Sequence, residues 1–270
     1  MKIKDITDCI EELAPLHYAE DFDNVGLLVG NASNEVTGVL VTLDSLEETV
    51  DEAIAKECNL IVSFHPIIFG GLKKLNGTTY VERVVLKAIK NEIAIYAIHT
   101  ALDNVKNGVS GRICEVLGLS NTTILIPKSN VLTQETIGMG MIGELPNEMM
   151  ESDFLNFVKK TMKTDCIRHS ETLNKPIRKV AVLGGSGSFA IENAKAANAD
   201  AYISADFKYH DFFKAEKNIL LIDIGHYESE QFTKNLLVEY LTKKITNFAP
   251  ALPEGKIILS EKSTNPIYYS

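Results

Sequence analysis

Apolar positions follow two periods along this chain, and they divide it into helices and strands. Ile3, Ile6, Ile10 and Leu13 recur at helical spacing and predict a first helix that ends before Pro15. Residues 19–30 (AEDFDNVGLLVG) combine acids, an Asn-Val-Gly turn and a short apolar strand. Residues 36–43 (VTGVLVTL) are β-branched and apolar, as in a buried strand. Asp44 and Ser45 then stand where an N-cap would open the helix LEETVDEAIAKE. A second buried strand (NLIVSF, 59–64), a helix over 78–91 and a third strand (IAIYAI, 93–98) follow. Strand–helix–strand units of this length predict a parallel sheet with right-handed crossovers.

A short helix is expected within 104–118, and beyond it the periodicity weakens. Residues 121–176 read as a Pro-, Asn- and Thr-containing connection, a strand (TIGMGMIGEL) and a helix (FLNFVKKTM). Strand KVAVL (179–183) then starts a second alternation, through a glycine turn, a helix to about Asn198, strand AYIS (201–204), a helix near 208–217 and the apolar strand 219–224. A last helix over about 229–245 and an edge strand in KIILS complete the prediction. The fold class expected is α/β, with an N-terminal part over 1–125 and a C-terminal part over 126–270.

At 270 residues and 45% hydrophobic content the chain can bury one large core or two modest ones. A net charge of −9 argues against a general nucleic-acid surface, because neutralising phosphates needs clustered Lys and Arg. Cys9, Cys58, Cys114 and Cys166 form no CxxC pair, so neither a disulfide framework nor a thiolate zinc site is indicated. The N-terminal stretch is amphipathic, and no apolar run is long enough to cross a membrane; a cytoplasmic protein is expected.

Candidate chemistry gathers where strands end, since ligands of parallel α/β sheets collect at the carboxyl ends of their strands. His65 directly follows the second strand, and His99 the third, with Asp103 four residues on. His226 follows the strand at 219–224 and Gly225, with Glu230 four residues on. A capped loop or a plain ion pair accounts for any one of these; three such histidines with two carboxylates favour a common ligand set. Imidazole and carboxylate donors without thiolates suit zinc, iron or manganese, one or two ions per chain, in a metal-activated hydrolysis. Asp21, Asp23 and Asn24 lack calcium-loop spacing and are explained as well by turn chemistry. Gly185, Gly187 and Ala190 fit a dinucleotide turn, with Asp206 about 20 residues on. That pattern keeps an oxidoreductase open as a rival, although a tight strand-to-helix turn explains it better. Lys208 and His210 are candidates for phosphate contact, or simply solvated residues at a helix start.

Five segments, DNVGLLVG (23–30), SFHPIIF (63–69), HTALD (99–103), SADFKYHD (204–211) and GHYESE (225–230), resemble the Nif-three-like family of dinuclear-metal-centre proteins, also labelled GTP cyclohydrolase I type 2 homologues. The resemblance spans the chain from its first helix to its last. It implies two similar α/β halves with mainly parallel sheets facing a shared metal pocket, a homo-hexamer, and His65, Asp103, His226 and Glu230 as metal ligands. It also implies a hydrolase acting on a nucleotide-like or phosphate-bearing small molecule; the charge balance and the lack of a long apolar run point away from nucleic acid and membrane as partners. A non-enzymatic metal-binding scaffold or regulator would carry the same ligands. Many members read two adjacent histidines before the proline, whereas this chain has Phe64 and then His65. Phenylalanine cannot ligate, which leaves that position to His99, to water, or to a centre with one metal.

Overall fold

A computed structural model describes residues 1–129, 136–248 and 256–270. Helices are α1 (Ile3–Leu13), α2 (Glu47–Ala55), α3 (Tyr80–Lys90), α4 (His99–Asp103), α5 (Val109–Leu117), α6 (Glu151–Thr161), α7 (Ile191–Ala196), α8 (His226–Glu230) and α9 (Thr233–Phe248). Strands are β1 (Gly26–Val29), β2 (Val39–Thr42), β3 (Leu60–Ser63), β4 (Ala94–Ala97), β5 (Ser120–Ser129), β6 (Thr136–Met150), β7 (Arg168–His169), β8 (Pro176–Ser186), β9 (Ala201–Ala205), β10 (Leu220–Asp223) and β11 (Ile257–Leu259). The fold is mixed α/β with two sheets, and it forms two compact units, Met1–Leu102 with Thr233–Thr264, and Asp103–Phe232 with Asn265–Ser270.

In the first unit the sheet order is β1-β4-β3-β2-β11, with β1 antiparallel and the other neighbours parallel. Leu40, Ile61 and Ile95 of the central strands pack with Val50 and Ala53 of α2 and Val84, Val85 and Ala88 of α3. Each large apolar side chain so buried contributes about 1.5–3 kcal/mol. The register Thr42↔Ser63 and Ser63↔Ala97 ends β2, β3 and β4 at one edge of the sheet. The antiparallel β1 begins at that edge, since Gly26 pairs Ala97.

The chain leaves this unit earlier than a boundary at 125 and returns to it at Thr233. Its return is anchored by polar bonds as well as by β11. The buried Glu52 carboxylate of α2 accepts from Ser260 Oγ (2.5 Å) and from the Glu261 amide (2.9 Å), just beyond that strand. Sequence periodicity carries no trace of such a pairing across the chain.

The second unit holds the sheet β5-β6-β8-β9-β10-β7, in which β8, β9 and β10 run parallel. Alternate residues of these strands enter opposite layers. Val180, Val182, Ile203 and Ile222 pack with Phe154 and Val158 of α6 and Ile113 and Leu117 of α5, whereas Ala181, Tyr202 and Leu221 pack with Ile191 and Ala194 of α7. Burial on both faces explains why these strands read as unbroken apolar runs.

Three expectations need correction. Residues 120–129, read as a connection, form β5, antiparallel to β6; Pro127 is tolerated because β5 lies at the sheet edge. (Residues 130–135 of that expected connection lie outside the described residues.) The segment near 208–217 is a 3-10 helix over Tyr209–Ala215. Asp44 does not cap α2, whose N-cap is Leu46. No described helix is long and apolar enough to cross a membrane.

Candidate metal centre

Parallel register delivers the candidate residues of the first unit to one sheet edge. Asp44 follows β2, Phe64 and His65 follow β3, and His99 follows β4 one residue on. His65 Nδ1 lies 2.8 Å from Asp44 Oδ1, and Thr264 Oγ1 donates to the other oxygen of that carboxylate. His99 Nδ1 lies 2.8 Å from Asp23 Oδ1, on the turn that leads into β1. Asp23 also accepts from the Thr100 amide at 3.1 Å and from the Thr100 hydroxyl. Burial opposes ionisation of Asp23, but the bonds from His99 and Thr100 outweigh it and hold its carboxyl at about 2. His99 has φ +29°, a conformation that side chains with a Cβ seldom adopt and that the surrounding bonds must maintain. The His65 and His99 rings lie 5.3 Å apart, and the fully buried Phe64 ring is 4.9 Å from one and 5.5 Å from the other.

The second unit repeats the device. Ser186 pairs with Ala205, so Asp206 emerges beside the end of β8, and Gly225 and His226 emerge just past the end of β10. His226 Nδ1 lies 2.7 Å from Asp206 Oδ2, which also accepts from the Ser186 hydroxyl. One turn of α8 later, Glu230 Oε2 lies 3.2 Å from His226 Nε2. Burial works against a charged ring, but hydrogen bonds and charges from Asp206 and Glu230 prevail and push His226 up to about 11.

Glycine is required at 185. Its φ is +68°, and an added Cβ would lie 2.4 Å from Glu230 Oε1. The same turn carries Gly187, where a Cβ would meet Ser204 Oγ at 2.0 Å and Tyr202 OH at 2.4 Å. Close approach of β9 and α8 therefore accounts for the glycines. Asp206, the residue a dinucleotide ribose would need, is committed to Ser186 and His226, and α7 has only 6 residues.

Sequence reasoning found the imidazoles and missed the aspartates behind them. Each of the three strand-end histidines has Nδ1 against an aspartate, an arrangement that fixes the ring and directs Nε2 toward whatever the site binds. The available signal was positional: Asp44 stands two residues past β2 and Asp206 directly follows β9, strands that neighbour the histidine-bearing ones. The structure joins His226 to Glu230 and sets His65 beside His99. Asp103 closes α4, four residues after His99. Lys208 donates its amide to Asp211 (2.9 Å), and His210 lies among the rings of Tyr209 and Phe213.

This donor set fits a borderline transition ion: oriented imidazoles and a buried carboxylate, with no thiolate required. Glu230 is buried beside Nε2, where a bound cation would balance its charge as the ring proton otherwise does.

Fold and site together define a class: α/β proteins whose strand-end histidines are each braced by an aspartate. Among known proteins, the Duf34/NIF3 (NGG1p interacting factor 3) model matches residues 1–266, and the chain belongs to that family. It is 36% identical over 233 residues to a GTP cyclohydrolase 1 type 2 homolog of Clostridium acetobutylicum, covering 85% of each chain. A protein of the same description from Lactococcus lactis is 34% identical over 275 residues, covering 99% of each. The crystal structure of a Bacillus cereus protein related to NIF3 superposes with a TM-score of 0.93 at 26% identity, over 100% of this chain and 99% of that one.

Proposed function

We propose that the protein is a metal-dependent hydrolase of a nucleotide-like or phosphate-bearing small molecule. The ligands in this reading are His65, Asp103, His226 and Glu230, for one or two divalent zinc, iron or manganese ions per chain. The observation that carries this reading is the aspartate bracing of His65, His99 and His226. A carboxylate on Nδ1 orients the ring and leaves Nε2 as the ligand atom, the arrangement that metal-ligating histidines use. When bound, such an ion polarises substrate oxygens and makes coordinated water more acidic. The chain's own groups orient and hold protons: Asp206 keeps the His226 ring in place, and Ser229 Oγ, accepting from the Gly185 amide at 2.9 Å, fixes the turn against α8.

Nucleotide-like substrates are supported by the relatives described as GTP cyclohydrolase 1 type 2 homologs. Assembly as a homo-hexamer in the cytoplasm, without a membrane or nucleic-acid partner, belongs to the same proposal. Mass photometry and cell fractionation test those two points.

Elemental analysis of the purified protein and of Glu230→Ala, with turnover of a nucleotide panel by the metal-loaded protein, tests the function. Bound metal that falls in the variant, together with hydrolysis lost in it, supports the reading. Metal without turnover on any of the panel would favour a binding scaffold, and unchanged metal content in Glu230→Ala would remove Glu230 from the ligand set.

A further inference from the structure

Two phenylalanines of the first unit are left in solvent beside the histidines. Phe22 is 66% exposed and Phe69 is 54% exposed. They lie on different segments, one directly before Asp23 and the other four residues after His65, yet their rings meet with centroids 6.3 Å apart. Phe69 in turn stands edge-on to His99, with centroids 6.2 Å apart and planes at 75°. Scattered exposed apolar residues are ordinary; an aromatic pair contiguous with a line of oriented histidines is not.

The pair is also held in place. Asn24 Nδ2 donates to the Ile68 carbonyl at 2.5 Å, which ties together the segments bearing the two rings. The Asp23 amide donates to the Glu20 carbonyl at 2.9 Å and closes the turn under Phe22. The chain following Phe69 does not crowd the pair, since a Cβ added at Gly70 or Gly71 would meet nothing within 4 Å, and the exposure of both rings leaves room at their faces. Fixed aromatic faces with room beside them are organised for stacking at little entropic cost.

We propose that Phe22 and Phe69 form a stacking site that receives a planar heteroaromatic ring of nucleobase type, with its edge turned toward His99. Phenyl faces are electron-rich, so an electron-poor ring is the preferred partner in an offset stack. His99 is braced through Nδ1, so the rest of its ring edge is the polar group available to a ring nitrogen or carbonyl. Its 6.2 Å separation from Phe69 is within the reach of a fused bicycle stacked on that ring. The pair itself offers no group for phosphate, so a nucleoside without phosphate is a sufficient probe of the ring site. The inference deepens the hydrolase reading by naming the part of the substrate that this unit holds.

2-Aminopurine riboside is the probe, because stacking quenches its emission and the chain contains 0 tryptophans to interfere. Saturable quenching is expected with the full chain. Phe22→Ala and Phe69→Ala should each weaken it about tenfold, as base stacking on aromatic side chains commonly does. Phe69→Trp should retain it, and Phe69→Leu, which keeps bulk without a π-face, should not. No quenching by the wild type, or equal quenching by all variants, would overturn the proposal. So would dissociation of the wild-type assembly in a Phe22→Ala/Phe69→Ala double variant without any quenching in the wild type, since the pair would then be an interface between copies. Metal content of the same samples separates the two readings: quenching without metal leaves the ring site standing and removes the hydrolase, whereas metal without quenching does the reverse.

Discussion

Asp23→Asn removes one negative charge while keeping the shape of the side chain that braces His99. The Asp23 side chain is 0% exposed and accepts from His99 Nδ1, the Thr100 amide and the Thr100 hydroxyl. Its carboxyl is held at about 2, against 3.8 for an unperturbed group. A lowered carboxyl stabilises the folded state above its unfolded value and loses that contribution as pH falls through its folded value. The gap corresponds to about 2–3 kcal/mol at pH 7. By the same linkage about 1 kcal/mol remains at pH 2.5. Hydrogen bonds to a buried charged group are independently worth about 1.5–3 kcal/mol each, so the figure is reasonable for a site where burial offsets part of the gain. For a chain of this size it corresponds to a fall in Tm of about 4–5 °C at pH 7. Urea unfolding of both proteins at pH 7 and pH 2.5 measures the term. The stability difference should shrink by more than half at the lower pH. A difference that is the same at both pH values would refute the argument that ionised Asp23 holds this turn.

Removing the second brace by Asp206→Ala should lower affinity for a transition metal about 10- to 100-fold, measured by chelator competition. Because His226 is raised to about 11, the charged ring's contribution to the metal-free fold is complete below pH 6.5 and declines as pH rises through 11. Metal needs the neutral ring, so affinity should climb about tenfold per pH unit between 7 and 9; a flat profile would remove His226 from the ligand set. Gly185→Ala should displace Glu230, costing about 1–3 kcal/mol of stability and reducing metal content by elemental analysis. Phe64→His should lower stability by about 2–4 kcal/mol, since a polar ring replaces one that is 0% exposed, while raising metal per chain through a donor added between His65 and His99.

The sequence by itself determined the alternation of strands and helices, because an apolar run buried on both faces is a local signal. It also determined which imidazoles stand at strand ends, since chain order alone places His65 after β3 and His99 after β4. The family was legible for a similar reason: its motifs are short runs around those ends. What the sequence did not determine depends on contacts between distant positions. β5 was hidden because Pro127 forbids a central strand but not an edge one. The membership of β11 in the first unit is fixed by pairing with β2 and by the Glu52 bonds just beyond it, which no local pattern encodes.

The three aspartates were visible as residues and obscure as partners. Asp44 satisfied the local rule for an N-cap, Asp23 the rule for a turn, and Asp206 the spacing of a dinucleotide motif. Only the aligned register of neighbouring strands, which brings ends far apart in the chain within hydrogen-bond distance, decided that each braces a histidine.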